Sequence, residues 1–139
     1  MIKDKVLIDT SAWIASFKKS GNKKLKEKVI EALSSFSAVT TNIIVLELLQ
    51  GCRDKEEYNA MRSRLEALEN LPLNDDVWQI AYITGYELRR KGITVPTIDI
   101  VIASIAKNYG CYLLHYDKHF RIIAEQLDIV TIDFLDEKT

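Results

Sequence analysis

The sequence predicts an α/β fold: a parallel sheet of about five short strands with helices on both faces. Two observations carry that expectation. Short apolar or β-branched runs recur along the chain (KVLI at 5–8, AVTT at 38–41, CYLLH at 111–115, IVTI at 129–132), and stretches with helical periodicity separate them. Strands that far apart must be joined by crossovers, and crossovers give parallel pairing. No stretch rich in Pro, Gly or Ser breaks the pattern, so 1–139 reads as one domain.

The elements follow in order. After the first strand at 5–8 comes a short helix at 11–17, with Ser11 placed as its cap. A lysine-rich stretch from Lys18 to Lys28 leads into a helix ending near Leu33. Residues 38–41 form the second strand, and Asn42 is placed to cap a very apolar helix at 43–49 that Gly51 stops. Residues 55–69 carry heavy charge with Met61, Leu65 and Leu68 at helical spacing, the pattern of a surface helix. A brief strand is expected at 71–73, then an amphipathic helix at 75–91 ended by Gly92. Pro96 pushes Val95 out of the α region, so the next helix, 98–109, starts only after it and closes at Gly110. A strand at 111–115, a helix at 118–127 and a strand at 129–132 complete the chain.

Composition removes several classes. At 139 residues the chain buries roughly two-thirds of its extended surface, enough for a core without staples. Nineteen basic residues face 20 acidic ones, so attraction to nucleic acid must come from a local patch. No apolar run approaches the ~20 residues of a spanning helix, and the start, MIKDKVLIDT, does not have the form of a signal peptide. No membrane association is expected. Cys52 and Cys111 make neither a C-x-x-C pair nor a zinc pattern; two reduced thiols in the cytoplasm are the expectation.

Function is legible in four acids. Asp9 follows VLI, Glu47 sits inside IIVLELL, Asp99 inside TIDIVIASIA, and Asp117 follows YLLHY. All four interrupt the most hydrophobic runs of the chain, where an unpaired carboxylate costs several kcal/mol. Taken singly, Asp9, Asp99 and Asp117 could be caps or turns and Glu47 an exposed strip on its helix. Together they point to convergence beyond the carboxyl ends of the strands, where an open parallel sheet binds ligands. An all-oxygen cluster selects a hard cation, Mg²⁺ or Mn²⁺. Asp9 and Asp99 are the expected direct ligands, with Glu47 and Asp117 acting partly through water. A cation that holds phosphate oxygens and activates water suits phosphodiester hydrolysis.

At VLIDTSAWI, VLELLQG, TIDIVIASIA and LLHYDKHFRII, four pieces in order between residues 6 and 123, the chain resembles a PIN-domain nuclease, most closely a VapC-type toxin of a type II toxin–antitoxin pair. That resemblance implies a three-layer PIN-like fold with strand order 3-2-1-4-5, which sets the first and fourth strands side by side. It also implies divalent-metal-dependent endoribonuclease activity leaving a 5′-phosphate, an inhibitory antitoxin partner, and a homodimer. The family's four acids map onto Asp9, Glu47, Asp99 and Asp117. Its hydroxyl positions after the first acid map onto Thr10 and Ser11, which would orient a carboxylate or a water. One departure is visible: such toxins often carry Thr-Arg before the fourth acid, where this chain has His115 and Tyr116.

Other cations and rings are weighed beside the acids. The lysines at 18, 19, 23, 24, 26 and 28 read as a solvated helix face or as an edge that tracks phosphates. Lys118 and Arg121, just past Asp117, are the better candidates to meet an RNA substrate. His115 lies at a strand end, so a helical metal-ligating pair with His119 is not expected; His119 reads as a surface or phosphate-contacting residue. Trp13 and Trp78 read as core. Three alternatives stand beside the toxin. A housekeeping PIN-domain RNA-processing nuclease would lack an antitoxin frame beside its gene. A non-catalytic RNA- or protein-binding module would show no metal dependence. A receiver-like phosphoacceptor would want a paired acid after the first strand and a lysine on the last, and this chain has neither.

Overall fold

In the computed structural model, which describes residues 4–136, five parallel strands form one sheet. The strands are β1 (Val6–Ile8), β2 (Ala38–Thr40), β3 (Glu69–Asn70), β4 (Tyr112–Leu114) and β5 (Thr131–Ile132), in the order β3-β2-β1-β4-β5. β1 is central, with Val6, Leu7 and Ile8 opposite Tyr112, Leu113 and Leu114 of β4. Strands covered on both faces need apolar side chains on both, and Leu7, Ile8, Leu113 and Leu114 are fully buried.

Seven helices connect them: α1 (Thr10–Phe17), α2 (Lys23–Ser34), α3 (Asn42–Gln50), α4 (Lys55–Glu66), α5 (Asp75–Arg90), α6 (Thr97–Tyr109) and α7 (His119–Leu127). Connections from β1 to β3 run one way across the sheet, and those from β3 to β5 run the other. Right-handed crossovers therefore put α1–α4 on one face and α5–α7 on the opposite face. The packing agrees: α1 lies against α2 and α3, α3 against α4, and α6 against α5 and α7.

Local differences from the expected boundaries have simple causes. The β3 strand is the exposed pair Glu69–Asn70, not 71–73. Leu71 donates one more bond to Thr40, at 2.8 Å, and Pro72, with no N–H, ends the ladder. As an edge strand, β3 needs no apolar pattern. Asp9, not Ser11, caps α1, because its carboxylate accepts the Ser11 amide. Thr41, not Asn42, is the cap residue of α3. Gly110 closes α6 at φ 66°, the left-handed conformation that favours glycine, whereas Gly51 ends α3 at an ordinary φ of −84°. The surface helix stops at Glu66 rather than 69.

The topology directs chemistry to one edge. α1, α3 and α7 each leave the carboxyl end of a strand, and α6 returns to feed β4 through Gly110. All four helix N-termini therefore lie at the carboxyl edge of the sheet, where unpaired amides and the positive dipole end favour anions. Strand order reverses there between β1 and β4. Among the described residues no helix is long and apolar enough to cross a membrane.

Candidate functional site

Asp9 lies one residue past β1, with its amide bonded to Leu114 of β4 at 2.9 Å. It is 4% exposed. Its Oδ2 accepts the Ser11 amide at 2.9 Å and the Ser11 hydroxyl at 2.5 Å. Burial raises its pKa, the Ser11 hydrogen bonds pull it down, and the charge of Glu47 raises it further. Capping and site geometry thus fall on one residue. The Ser11 oxygen also accepts the amide of Tyr116, at 2.9 Å, and so ties α1 to the loop after β4. Thr10 donates its hydroxyl to Oε1 of Glu47 at 2.7 Å, which holds the middle of α3 against the start of α1.

Asp99 sits in the first turn of α6, where an acid is ordinarily favoured by the helix dipole. Its pKa is nevertheless raised to about 6: burial is the main cause, the charges of Asp9 and then Asp117 add to it, His119 opposes it, and Glu47 raises it again. The other three acids singled out from sequence therefore act on this one carboxyl group. Asp117 forms an Asx turn, its Oδ1 accepting the amide of His119 at 3.0 Å, and this turn starts α7.

The turn brings in a residue the sequence did not single out as a ligand. His119 Nδ1 lies 3.1 Å from Asp117 Oδ1 and 3.4 Å from Asp99 Oδ2. It is buried, yet it makes no hydrogen bond to either. One donor atom each from Asp99, Asp117 and His119 lie within 4.8 Å of one another, a spacing that could hold a metal ion. Carboxylate oxygens crowded around a buried nitrogen outside hydrogen-bond geometry are what a divalent cation would satisfy, so the residues fit such a group. The available signal was the DKH spacing: a histidine two residues past a turn-forming Asp folds back over its carboxylate.

Two expected residues fall differently. Lys118 is exposed, as a substrate contact requires. Arg121 is instead held by acids from beyond β5: Nε reaches Asp133 Oδ2 at 3.0 Å, Nη2 reaches Asp133 Oδ1 at 2.6 Å, and Nη2 also lies 3.1 Å from Asp136. The sequence did not anticipate this, because the pairing spans 12 residues and depends on β5 ending beside β4. His115 is fully buried, its Nδ1 accepting the Asp117 amide at 3.3 Å. That bond leaves the proton on Nε2, which faces Asp133 Oδ2 at 3.3 Å outside hydrogen-bond geometry. Burial lowers the pKa of this ring, so it stays neutral.

The family model for the PIN domain matches residues 6–126. The chain belongs to the PIN-domain family. Its five-stranded order is the one that the resemblance implied. Among curated relatives, the VapC11 ribonuclease of Mycobacterium tuberculosis is 31% identical over 133 residues, covering 93% of this chain and 98% of the relative. A VapC ribonuclease of Mycobacterium bovis matches to the same extent, 31% over 133 residues. Among solved structures, this PIN domain superimposes on VapBC2 from Rickettsia felis, bound to a DNA fragment from its promoter, with TM-score 0.75 at 17% identity, covering 92% of this chain and 97% of that one. It also superimposes on FitAcB from Neisseria gonorrhoeae, with TM-score 0.73 at 18% identity over 91% of this chain and 96% of that one. At such identities the likeness establishes the fold.

Proposed function

We propose that this PIN domain is the endoribonuclease toxin of a toxin–antitoxin pair, hydrolysing RNA phosphodiester bonds with a divalent cation, Mg²⁺ or Mn²⁺. The observation that carries the reading is the cluster of donor atoms from Asp99, Asp117 and His119, all within 4.8 Å of one another, at a carboxyl on which the charges of Asp9, Asp117 and Glu47 also act. Such crowding is tolerable only if a cation offsets it. The names of the curated relatives, VapC ribonucleases, supply the reaction class.

A bound divalent cation would neutralise phosphate charge and make a water acidic enough to attack at neutral pH. Asp9 and Asp99 are assigned as its direct ligands, with Asp117 beside them. Ser11 occupies Oδ2 of Asp9, which would leave Oδ1 to hold the cation. Glu47, fixed by Thr10, and Asp117 would accept hydrogen bonds from the attacking water and so orient it. Lys118, exposed at the start of α7, meets an RNA phosphate. Arg121 is read as a positioning residue that pins the chain after β5. Purified protein incubated with total RNA is expected to give fragments with 5′-phosphate ends. Cleavage should stop with EDTA and return with Mg²⁺ or Mn²⁺. Cleavage indifferent to EDTA overturns the proposal, and so does intact RNA under every metal condition.

The antitoxin is assigned to the apolar groove of ≈ 540 Å³ between α1, α2 and the end of α4. Phe17, Ile30 and Phe36 line it and are 48%, 61% and 91% exposed, a cluster of exposed apolar side chains of the kind that marks an interaction site. Lys26 and Arg64 rim it, which suits an amphipathic segment with acidic flanks. Phe36 also holds a left-handed φ of 58°, a conformation Asp tolerates better than Phe. Phe36→Asp with Ile30→Asp is therefore expected to fold, to keep full RNA cleavage, and to weaken antitoxin binding by about tenfold or more. Unchanged antitoxin affinity would move that partner to another face. Both cysteines are free, which accords with the cytoplasm as the proposed compartment.

A further inference from the structure

His119 has hydrogen-bonding distances without hydrogen bonds. Its Nδ1 lies 3.1 Å from Asp117 Oδ1 and 3.4 Å from Asp99 Oδ2, is shielded from water, and has no hydrogen-bond partner. In an octahedral shell with donors ~2.1 Å from the cation, neighbouring donors stand about 3 Å apart. The two distances from the ring nitrogen therefore suit adjacent ligands of one cation, and all three donor atoms lie within 4.8 Å of one another. The backbone is anchored at the same oxygen: the His119 amide donates to Asp117 Oδ1 at 3.0 Å, which places the residue that carries the ring beside that carboxylate.

We infer that His119 supplies an imidazole nitrogen to the divalent cation beside Asp99 and Asp117, and so makes this site prefer Mn²⁺, or another first-row cation, to Mg²⁺. The inference rests on the metal-dependent reading above and goes past it. A site built only of carboxylates has little reason to reject Mg²⁺, which takes oxygen donors and keeps its waters. An imidazole donor adds affinity for transition metals and much less for Mg²⁺. His119 is then a specificity-determining ligand, a role that neither the four acids nor the hydroxyls can fill.

The chain offers a clean spectroscopic test because it contains two histidines. His115 is fully buried with its Nδ1 already accepting the Asp117 amide, so it is not free to bind the ion. Full-length protein without a polyhistidine tag is loaded with Mn²⁺ alone and examined by pulsed EPR. A ¹⁴N coupling typical of one directly bound imidazole is expected, changing to the ¹⁵N pattern when the histidines carry ¹⁵N. In His119→Gln the nitrogen coupling should vanish. The Mn²⁺ dissociation constant should rise about tenfold or more while that of Mg²⁺ moves by less than about threefold. Wild-type protein that binds Mn²⁺ with no nitrogen coupling overturns the inference and leaves the metal-dependent nuclease intact. Wild-type protein that binds neither ion overturns the functional reading and this inference together. If His119→Gln does not fold, the labelled wild-type spectrum decides alone.

Discussion

The two halves of the site are built on opposite plans. On the α1/α3 side every carboxylate has a hydroxyl partner: Ser11 holds Asp9 and Thr10 holds Glu47, at 2.5 and 2.7 Å. On the α6/α7 side, Asp99 and Asp117 face each other and a ring nitrogen that bonds to neither. One half is wired in advance; the other keeps its repulsion. Hydroxyls are worth having where orientation matters, because each fixes one oxygen and leaves the charge in place. Where charge itself must attract a cation, a protein donor would only compete with the ion. The contrast separates acids whose orientation is fixed in advance from acids whose charge is left uncompensated.

The largest loss is expected when the attracting half is neutralised. Asp99→Asn keeps the shape of the side chain and removes the charge on which the other three acids converge. RNA cleavage is expected to fall by on the order of 10³-fold, the scale seen when a charge-stabilising group is lost from an active site. Circular dichroism should remain that of the folded protein. Asp9→Asn should behave in the same way. Cleavage by Asp99→Asn within tenfold of wild type would mean that the cation, if one binds, sits elsewhere.

The wired half should yield less. Ser11→Ala frees Asp9 Oδ2 and removes the acceptor for the Tyr116 amide, and Thr10→Val frees Glu47. Groups that orient a ligand without binding the metal typically cost 10–100-fold, and that is the loss of cleavage expected for either substitution. The metal dissociation constant should change less than the turnover, because the charges remain. A Ser11→Ala protein that loses metal as completely as Asp99→Asn would erase the distinction between the halves.

Much of this plan could be read in the residues. VLID and YLLHYD announce two buried strands with an acid beyond each, and Glu47 and Asp99 break the two most apolar helices. The pairing of β1 with β4 could not be read from periodicity; it came from the family resemblance, and the register Ile8↔Leu114 then shows how close the two strand tips stand. What stayed hidden depends on tertiary placement. Arg121 looks like a free cation next to Asp117 until β5 delivers Asp133 to the same edge. His119 looks like a surface residue until the Asx turn at Asp117 folds it back. The third strand was set two residues late because apolar Leu71 and Leu73 suggest a strand more strongly than Glu69 and Asn70, yet backbone pairing at an edge does not consult side-chain polarity.

The smallest effect expected is also the one that separates attraction from orientation without any substrate. In the metal-free protein the Asp99 carboxyl is raised from 3.8 to about 6, so between those values the folded state holds a proton that the unfolded state has released. Its contribution to stability is full below pH 4 and is lost as pH rises through 6. Asn mimics the protonated acid at every pH. Asp99→Asn and wild type should therefore melt together near pH 4, and at pH 8 the variant should melt about 3 °C higher, the shift that roughly 1 kcal/mol gives in a chain of this size. Mn²⁺ should raise wild type and not the variant, closing the gap from the other side. Ser11→Ala should show the reverse sign, melting lower at pH 8, because it removes a hydrogen bond that favours the charged form of Asp9. Scanning calorimetry of the three proteins at the two pH values, with and without Mn²⁺, reads all of this directly. Equal melting of wild type and Asp99→Asn at pH 8 would mean that the acids on the α6/α7 side do not repel one another and have no need of a cation.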